Sequence, residues 1–158
     1  MNERLEYQQL ECYKLANDMQ KEKLNREPYF DLGKLPGKQL QTEFAEYIYY
    51  RGTQVSILTI KAERQHFNSL CEFFKKPSHQ KNSLLDREKD IWIKQLKLWM
   101  MQNGRALTKH KVTSIQTESV EKAALIRYFE NLLEFTLDRS ETNELAKDIW
   151  YLERLPLI

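Results

Sequence analysis

Residues 54–76, QVSILTIKAERQHFNSLCEFFKK, constrain the fold more than any other stretch of this chain. Val55, Ile57, Leu58, Ile60, Phe67, Leu70, Cys71, Phe73 and Phe74 recur mostly at three- and four-residue steps. That spacing gathers them on one side of a helix of about six turns. Lys61, Glu63, Arg64, Gln65, His66, Asn68 and Glu72 fall on the other side. Thr53 or Ser56 is placed to cap the start, and Pro77 prevents the helix from running much further. A helix so apolar on one side requires other helices to cover it.

The rest of the chain supplies them. Residues 2–25 carry a sparse stripe (Leu5, Cys12, Tyr13, Ala16, Met19, Leu24) among Glu and Lys, which predicts an outlying N-terminal helix. Pro28, Gly33, Pro36 and Gly37 make residues 26–38 the clearest linker, pinned by Phe30, Leu32 and Leu35. Residues 39–51 form a shorter helix through Leu40, Phe44, Tyr47 and Ile48, with Gly52 as its C-terminal cap. A polar loop spans 77–83, and residues 84–102 are again helical, with Ile91, Gln95, Leu98 and Trp99 in one line. Ser83 or Asp86 caps that helix, and Asn103-Gly104 ends it. After a basic, hydroxyl-rich connector at 105–117 comes the last long helix, 117–138, capped by Thr117 or Ser119. Val120, Ala124, Ile126, Tyr128, Phe129, Leu132, Leu133 and Phe135 are its packing residues. Residues 139–143 break the pattern before the terminal DIWYLERLPLI. The expectation is an all-α fold: a four-helix core bundle with an N-terminal helical extension. Residues 1–30 form the arm and 31–158 the bundle.

Composition agrees, because four glycines and four prolines in 158 residues favour helix over sandwich or barrel. The net charge of +2 points to no partner, but its distribution is uneven. Residues 51–115 hold thirteen Lys or Arg against five Asp or Glu, whereas the flanking segments are both net acidic. A solvated face is the commoner source of such an excess; a phosphate-binding surface is the sharper one. Cys12 and Cys71 fall on apolar stripes without redox or metal spacing, as small buried residues of a reducing cytoplasm do. No run reaches the eighteen or so apolar residues needed to span a bilayer, and MNERLEYQQLE lacks the apolar core of a secretion signal. The reading is a cytoplasmic protein without a membrane partner.

Catalytic chemistry finds no foothold. There is no Gly-rich phosphate loop, no Cys/His cluster and no His-Glu-x-x-His motif, so neither cofactor nor metal is expected. His66, His79 and His110 read as surface histidines, and the pairs Glu43/Glu46 and Glu141/Glu144 as exposed helix faces. Binding remains. One candidate patch is the opening of the 54–76 helix, with Arg51, Thr53, Gln54, Ser56, Lys61, Arg64 and Gln65; the other is the connector with Arg105, Thr108, Lys109, His110, Lys111, Thr113 and Ser114. Both precede or open helices, whose free N–H groups and dipole favour phosphate, and Lys, Arg, Ser and Thr add donors.

Three segments carry a family resemblance: FDLGKLPGKQLQTEFAEYIYYR, then SILTIKAERQHFNSLCEFF, then KDIWYLERLPLI. From residue 31 onward the chain resembles the N-terminal, core-binding part of a tyrosine recombinase of the phage-integrase and transposase superfamily. Ser56, Thr59, Ile60, Phe67, Leu70, Phe73 and Phe74 fill the pattern in which Ser/Thr-x-x-Thr-Ile opens a helix ending in spaced Leu and Phe; Glu63 stands where many members have Tyr. The helix ending at Asn103-Gly104, the connector and RYFENLLEFTLD resemble the family's second hairpin, and DIWYLERL the segment before its catalytic domain. The resemblance implies one half of a clamp on double-stranded DNA, which positions it for strand exchange, with self-association of protomers on that DNA. The family's catalytic Arg, His-x-x-Arg and nucleophilic Tyr belong to the other half. None of the three histidines here has Arg three residues on, so this chain reads as a non-catalytic fragment. Arg51, Gln54, Lys61, Arg64, Arg105, Lys109 and Lys111 are then the candidates for phosphate, and Ser56, Gln65, Thr113 and Ser114 for groove or sugar. The competing class is a helical adaptor that engages a protein through residues 2–25 or through exposed Tyr47, Tyr49 and Tyr50.

Overall fold

A computed structural model of the chain describes residues 3–102 and 115–153, the side chains of 115–121, 147, 148 and 150–153 excepted. It is all-α apart from one two-stranded clip. Four helices make the body: α3 (Lys38–Gln54), α4 (Ile57–Phe74), α5 (Lys89–Gln102) and α6 (Ile115–Glu153). Before them come strand β1 (Arg4–Glu6), two short helices α1 (Glu11–Lys14) and α2 (Asp18–Glu22), and strand β2 (Tyr29–Asp31). Helix α6 packs on α3, α4 and α5, and α1 packs on α3.

Helix α4 forms as its sequence dictates. Ser56 adopts extended backbone at the N-cap and its hydroxyl accepts from the Thr59 amide at 3.4 Å. Ile57, Ile60, Phe67, Leu70, Cys71, Phe73 and Phe74 are all buried. Pro77 opens a separate 3-10 turn, Pro77–His79, which the α-helix cannot enter. The core is strongly aromatic. Phe67 meets Phe30 and Phe44 edge-on at 5.2 and 5.8 Å, and Phe74 meets Trp92 and Phe129 at 5.5 and 6.2 Å.

The expected N-terminal helix over 2–25 is not formed. Leu5, Tyr7, Leu10, Cys12 and Leu24 are buried in the same core as the bundle, while Met19 and Leu15 stand 69% and 89% exposed. Spacings of two, three and two residues from Leu5 to Cys12 suit a strand and turns better than a helix. Accordingly β1 pairs antiparallel with β2, Leu5 opposite Phe30. The 26–38 linker thus contributes β2 and the 3-10 turn Leu32–Lys34.

Three boundaries also differ. Gly52 does not end its helix: α3 runs on to Gln54, and no described glycine has positive φ. A Cβ at position 52 would lie 3.2 Å from that of Leu10, so the glycine admits close packing of the N-terminal segment. Helix α5 starts at Lys89, because Leu84–Asp86 closes into a 3-10 turn with Ser83 as its cap. In α5 Trp92, Ile93, Leu96, Trp99 and Met100 face inward, whereas Ile91 and Leu98, expected on the packing line, are about half exposed. Helix α6 continues through 139–143; those residues are polar but include neither Gly nor Pro, and Thr142 Oγ1 donates to the Asp138 carbonyl at 2.9 Å. The expected cap at Asn103-Gly104 and the connector lie outside the described residues, as do the side chains of Thr117, Ser119 and Val120.

Two residues read as exposed are buried. Glu43 is 5% exposed and accepts from the Leu84 amide at 2.8 Å and the Ser83 hydroxyl at 2.6 Å, fastening α3 to the turn before α5. His79 is 6% exposed and stacks on Phe73 at 4.2 Å. Burial, with Arg87 and then Lys76 nearby, pulls its pKa down to about 4.

Glu43→Ala leaves the buried Leu84 amide without a partner and should cost about 2–4 kcal/mol in a urea melt, with Glu43→Gln costing less. His79 titrates near 6.5 in the unfolded chain and near 4 in the folded one. Its contribution is therefore complete above pH 6.5 and lost as the pH falls toward 4. A His79→Leu variant should show a shallower fall in melting temperature across that window than the wild type.

Candidate nucleic-acid interface

The corner between α3 and α4 is fixed by two arginines. Arg51 reaches from the end of α3 to Glu63 on α4; its Nε donates to both carboxylate oxygens at 3.1 and 3.3 Å, and its Nη2 also bonds Oε1. Both side chains are largely withdrawn from solvent, 26% and 18% exposed. The hydrogen bond to Glu63 raises the Arg51 pKa further. One residue along α4, Arg64 Nε donates to the Tyr29 carbonyl at 3.1 Å and the guanidinium pairs with Glu27, which ties β2 to α4. Both of these arginines, expected to bind phosphate, are thus committed to contacts within the chain.

The other described candidates are solvent-facing. Gln54 and Ser56 line a cleft of about 620 Å³ between α1 and the corner, with Glu11, Cys12, Leu15, Ala16 and Thr53 among its walls. Ser56 is already the cap of α4, and Glu11 places an acid in that cleft. Lys61 and Gln65 are exposed one turn apart on α4. They begin a stripe, spaced three and four residues apart, that continues through half-buried Asn68 and exposed Glu72 to Lys75 and Lys76. The stripe is about 21 Å long from Lys61 to Lys75 at 1.5 Å per residue. Glu72 and Lys75 pair with each other at 2.7 Å. Arg105, Lys109, Lys111, Thr113 and Ser114 lie outside the described residues, so the structure does not place them against this face.

Sequence reasoning passed over Lys76 and Lys81. The signal was present: between Glu72 and Asp86 there are three lysines and no acid. The adaptor reading counted Tyr47 as exposed, but Tyr47 is buried, as its place on the 39–51 stripe requires, against Tyr128 and Phe135, each 5.5 Å away. Tyr49 and Tyr50 are exposed, and Tyr50 stacks on Phe135 at 4.9 Å. With Gln9, Glu46 and Arg139 they line a second groove of about 530 Å³.

Burial pushes the phenols of Tyr7 and Tyr47 up to about 12 and raises that of Tyr128 well above its ordinary value. It likewise raises the Cys71 thiol to about 12 and the Cys12 thiol less. Each of these shifts opposes formation of the anion that a nucleophile needs. Among the described residues no three His, Cys, Asp or Glu side chains converge as metal ligands would, and no helix is long and apolar enough to cross a membrane.

No family model, curated protein or solved structure matches this chain.

The Arg51–Glu63 pair should behave as a structural unit. Arg51→Ala and Glu63→Ala are each expected to destabilise by about 1–3 kcal/mol, and a double-mutant cycle should return a coupling of about 1–2 kcal/mol. Lys61→Ala, on the open face, should fall within about 0.5 kcal/mol of wild type in the same denaturation assay.

Proposed function

We propose that this chain is a DNA-binding module of the tyrosine-recombinase core-binding kind. It grips duplex DNA in the cytoplasm and positions it for strand exchange by a catalytic domain. Support comes from the resemblance of residues 31–158 and from the all-α body. The observation that carries the reading is the outward stripe of α4. It offers Lys61, Gln65 and Asn68 in succession without an acid, and the first acid reached, Glu72, is already paired with Lys75.

Such a stripe suits the major groove, which is about 12 Å wide and admits one helix. Lys61 supplies a mobile charge for a phosphate at the groove edge. Gln65 and Asn68 each present an acceptor and a donor side by side, the pattern that meets adenine N6 and N7. Arg51 and Arg64 act as positioning residues, holding the corner and the strand clip so that α4 presents its face in one orientation. On this reading Arg105, Lys109, Lys111, Thr113 and Ser114 add contacts from the connector, Gln54 and Ser56 contact sugar or phosphate at the helix opening, and protomers meet one another on the DNA.

A second reading has its own observation. The groove beside exposed Tyr49 and stacked Tyr50–Phe135 is aromatic, as surfaces that seat a peptide are. A helical adaptor would use it and leave α4 bare.

Fluorescence anisotropy with random-sequence duplex across a salt series separates the two. The DNA reading expects log affinity to fall linearly with log salt. Lys61→Ala should weaken binding about equally on all sequences and make the slope shallower by about one unit. Gln65→Ala should instead alter the ranking of sequences and leave the slope in place. Absence of binding at low salt removes the DNA reading and leaves the adaptor.

A further inference from the structure

The loop joining α4 to α5 is polar in sequence yet held from several sides. Its backbone closes on itself: the His79 amide donates to the Lys76 carbonyl at 2.9 Å, and the Lys81 amide to the His79 carbonyl at 2.9 Å. Gln80 Nε2 donates to the Lys75 carbonyl at 3.1 Å. The His79 ring is pressed into the bundle, stacked on Phe73. Arg87 locks the far side. Its guanidinium bonds the Ser78 carbonyl and the Gln95 side chain, lies 3.2 Å from His79 Nδ1, and covers the Trp92 ring at 4.6 Å.

What this lock holds out to solvent is positive. Lys76 and Lys81 are exposed, and among the described residues neither has an acid within ion-pair distance. Ser78, Gln80 and Asn82, also exposed, add neutral hydrogen-bonding groups. Arg87, the strongest donor in the region, is engaged inside the fold instead of being displayed. The loop also continues the outward stripe of α4, past the Glu72–Lys75 pair.

We propose that loop 76–82 is a preformed clamp for the phosphodiester backbone of duplex DNA. Lys76 and Lys81 make the contacts, and Arg87 is a positioning residue that orders the loop beforehand. A loop ordered in the free protein loses little conformational entropy on binding, so two lysines on it contribute more than two on a mobile tail. This inference rests on the DNA-binding reading and extends its surface to the far end of α4.

The test uses the full chain, random-sequence duplex and anisotropy over a salt series. The double variant Lys76→Gln/Lys81→Gln alters only exposed side chains and should melt with the wild type. Its binding slope should be shallower by about 1.8, near 0.9 for each phosphate no longer neutralised. Arg87→Ala should weaken binding several-fold in the wild-type background and have no added effect in the double variant, since it acts through those lysines. An unchanged slope in the double variant, while Lys61→Ala still makes it shallower, overturns the clamp and leaves the DNA reading standing. An Arg87→Ala effect that adds fully to the double variant overturns the positioning role. Failure of the wild-type chain to bind at any salt defeats the DNA reading, and the clamp with it.

Discussion

The body of this protein is built around two adjacent phenylalanines at the end of α4. Phe73 and Phe74 sit 5.2 Å apart at 76°, so one ring turns toward Trp99 and His79 and the other toward Phe44. Both meet Trp92 and Phe129 edge-on within about 6 Å. Four elements therefore converge on a single dipeptide: α3, the loop after α4, α5 and α6. Edge-to-face rings add about 0.5–1.5 kcal/mol each beyond the area they bury. Their geometry also restricts how the helices can slide past one another. Trp92 completes the node by donating from Nε1 to the Leu84 carbonyl at 2.8 Å, which fixes the turn that Glu43 holds from α3. The turn Leu84–Asp86 and the latched loop with its turn Pro77–His79 are both anchored to that node.

How much of this was legible in the sequence depends on whether periodicity or a specific partner decides the structure. Helix α4 and the packing faces of α3 and α6 follow from 3.6-residue spacing, and Ser56 from cap chemistry. The N-terminal segment defeats that reading because Tyr7 and Leu10, two of its best-buried residues, are not on the stripe of Leu5, Cys12, Ala16 and Met19 that predicts a helix there. Their burial depends on β2 and on Gly52, both far along the chain. In α5 the apolar residues nearly surround the helix, so periodicity alone could not choose between Ile91 and Ile93 as the inward residue. Glu43 and His79 looked exposed because polar residues usually are. Each is buried through one long-range arrangement, Glu43 with Ser83 and Leu84, His79 with Phe73 and Arg87, which no local pattern encodes.

The candidate site was legible in part for a related reason. A charge count finds cations but cannot say which of them the fold consumes. Arg51, Arg64, Arg87 and Arg139 all bond acids, amides or carbonyls within the chain. Lys61, Lys76, Lys94 and Lys97 remain exposed. Arg26 and Arg127 are exposed and Lys75 and Lys89 pair with acids, but around α4 and its loop the division follows from the side chains themselves. Guanidinium is planar, weakly hydrated and forked, which suits it to bridging two buried elements; ammonium is compact and strongly hydrated, and costs more to withdraw from water.

That division bears on how such a surface can recognise its partner. Forked arginines read guanine in a duplex because they meet O6 and N7 together, and among the described residues those near α4 are already occupied. On the proposed DNA-binding reading, what α4 and its loop would offer a duplex is lysine, a point charge that follows the backbone and is indifferent to sequence. Discrimination among sequences would then come from Gln65 and Asn68, whose amides favour adenine, or from the shape of a duplex held by those lysines. A surface of this composition expects affinity that depends steeply on salt and weakly on sequence. On that reading it would hold the DNA in place, and whatever fixes the exact site of reaction would have to be supplied by other contacts.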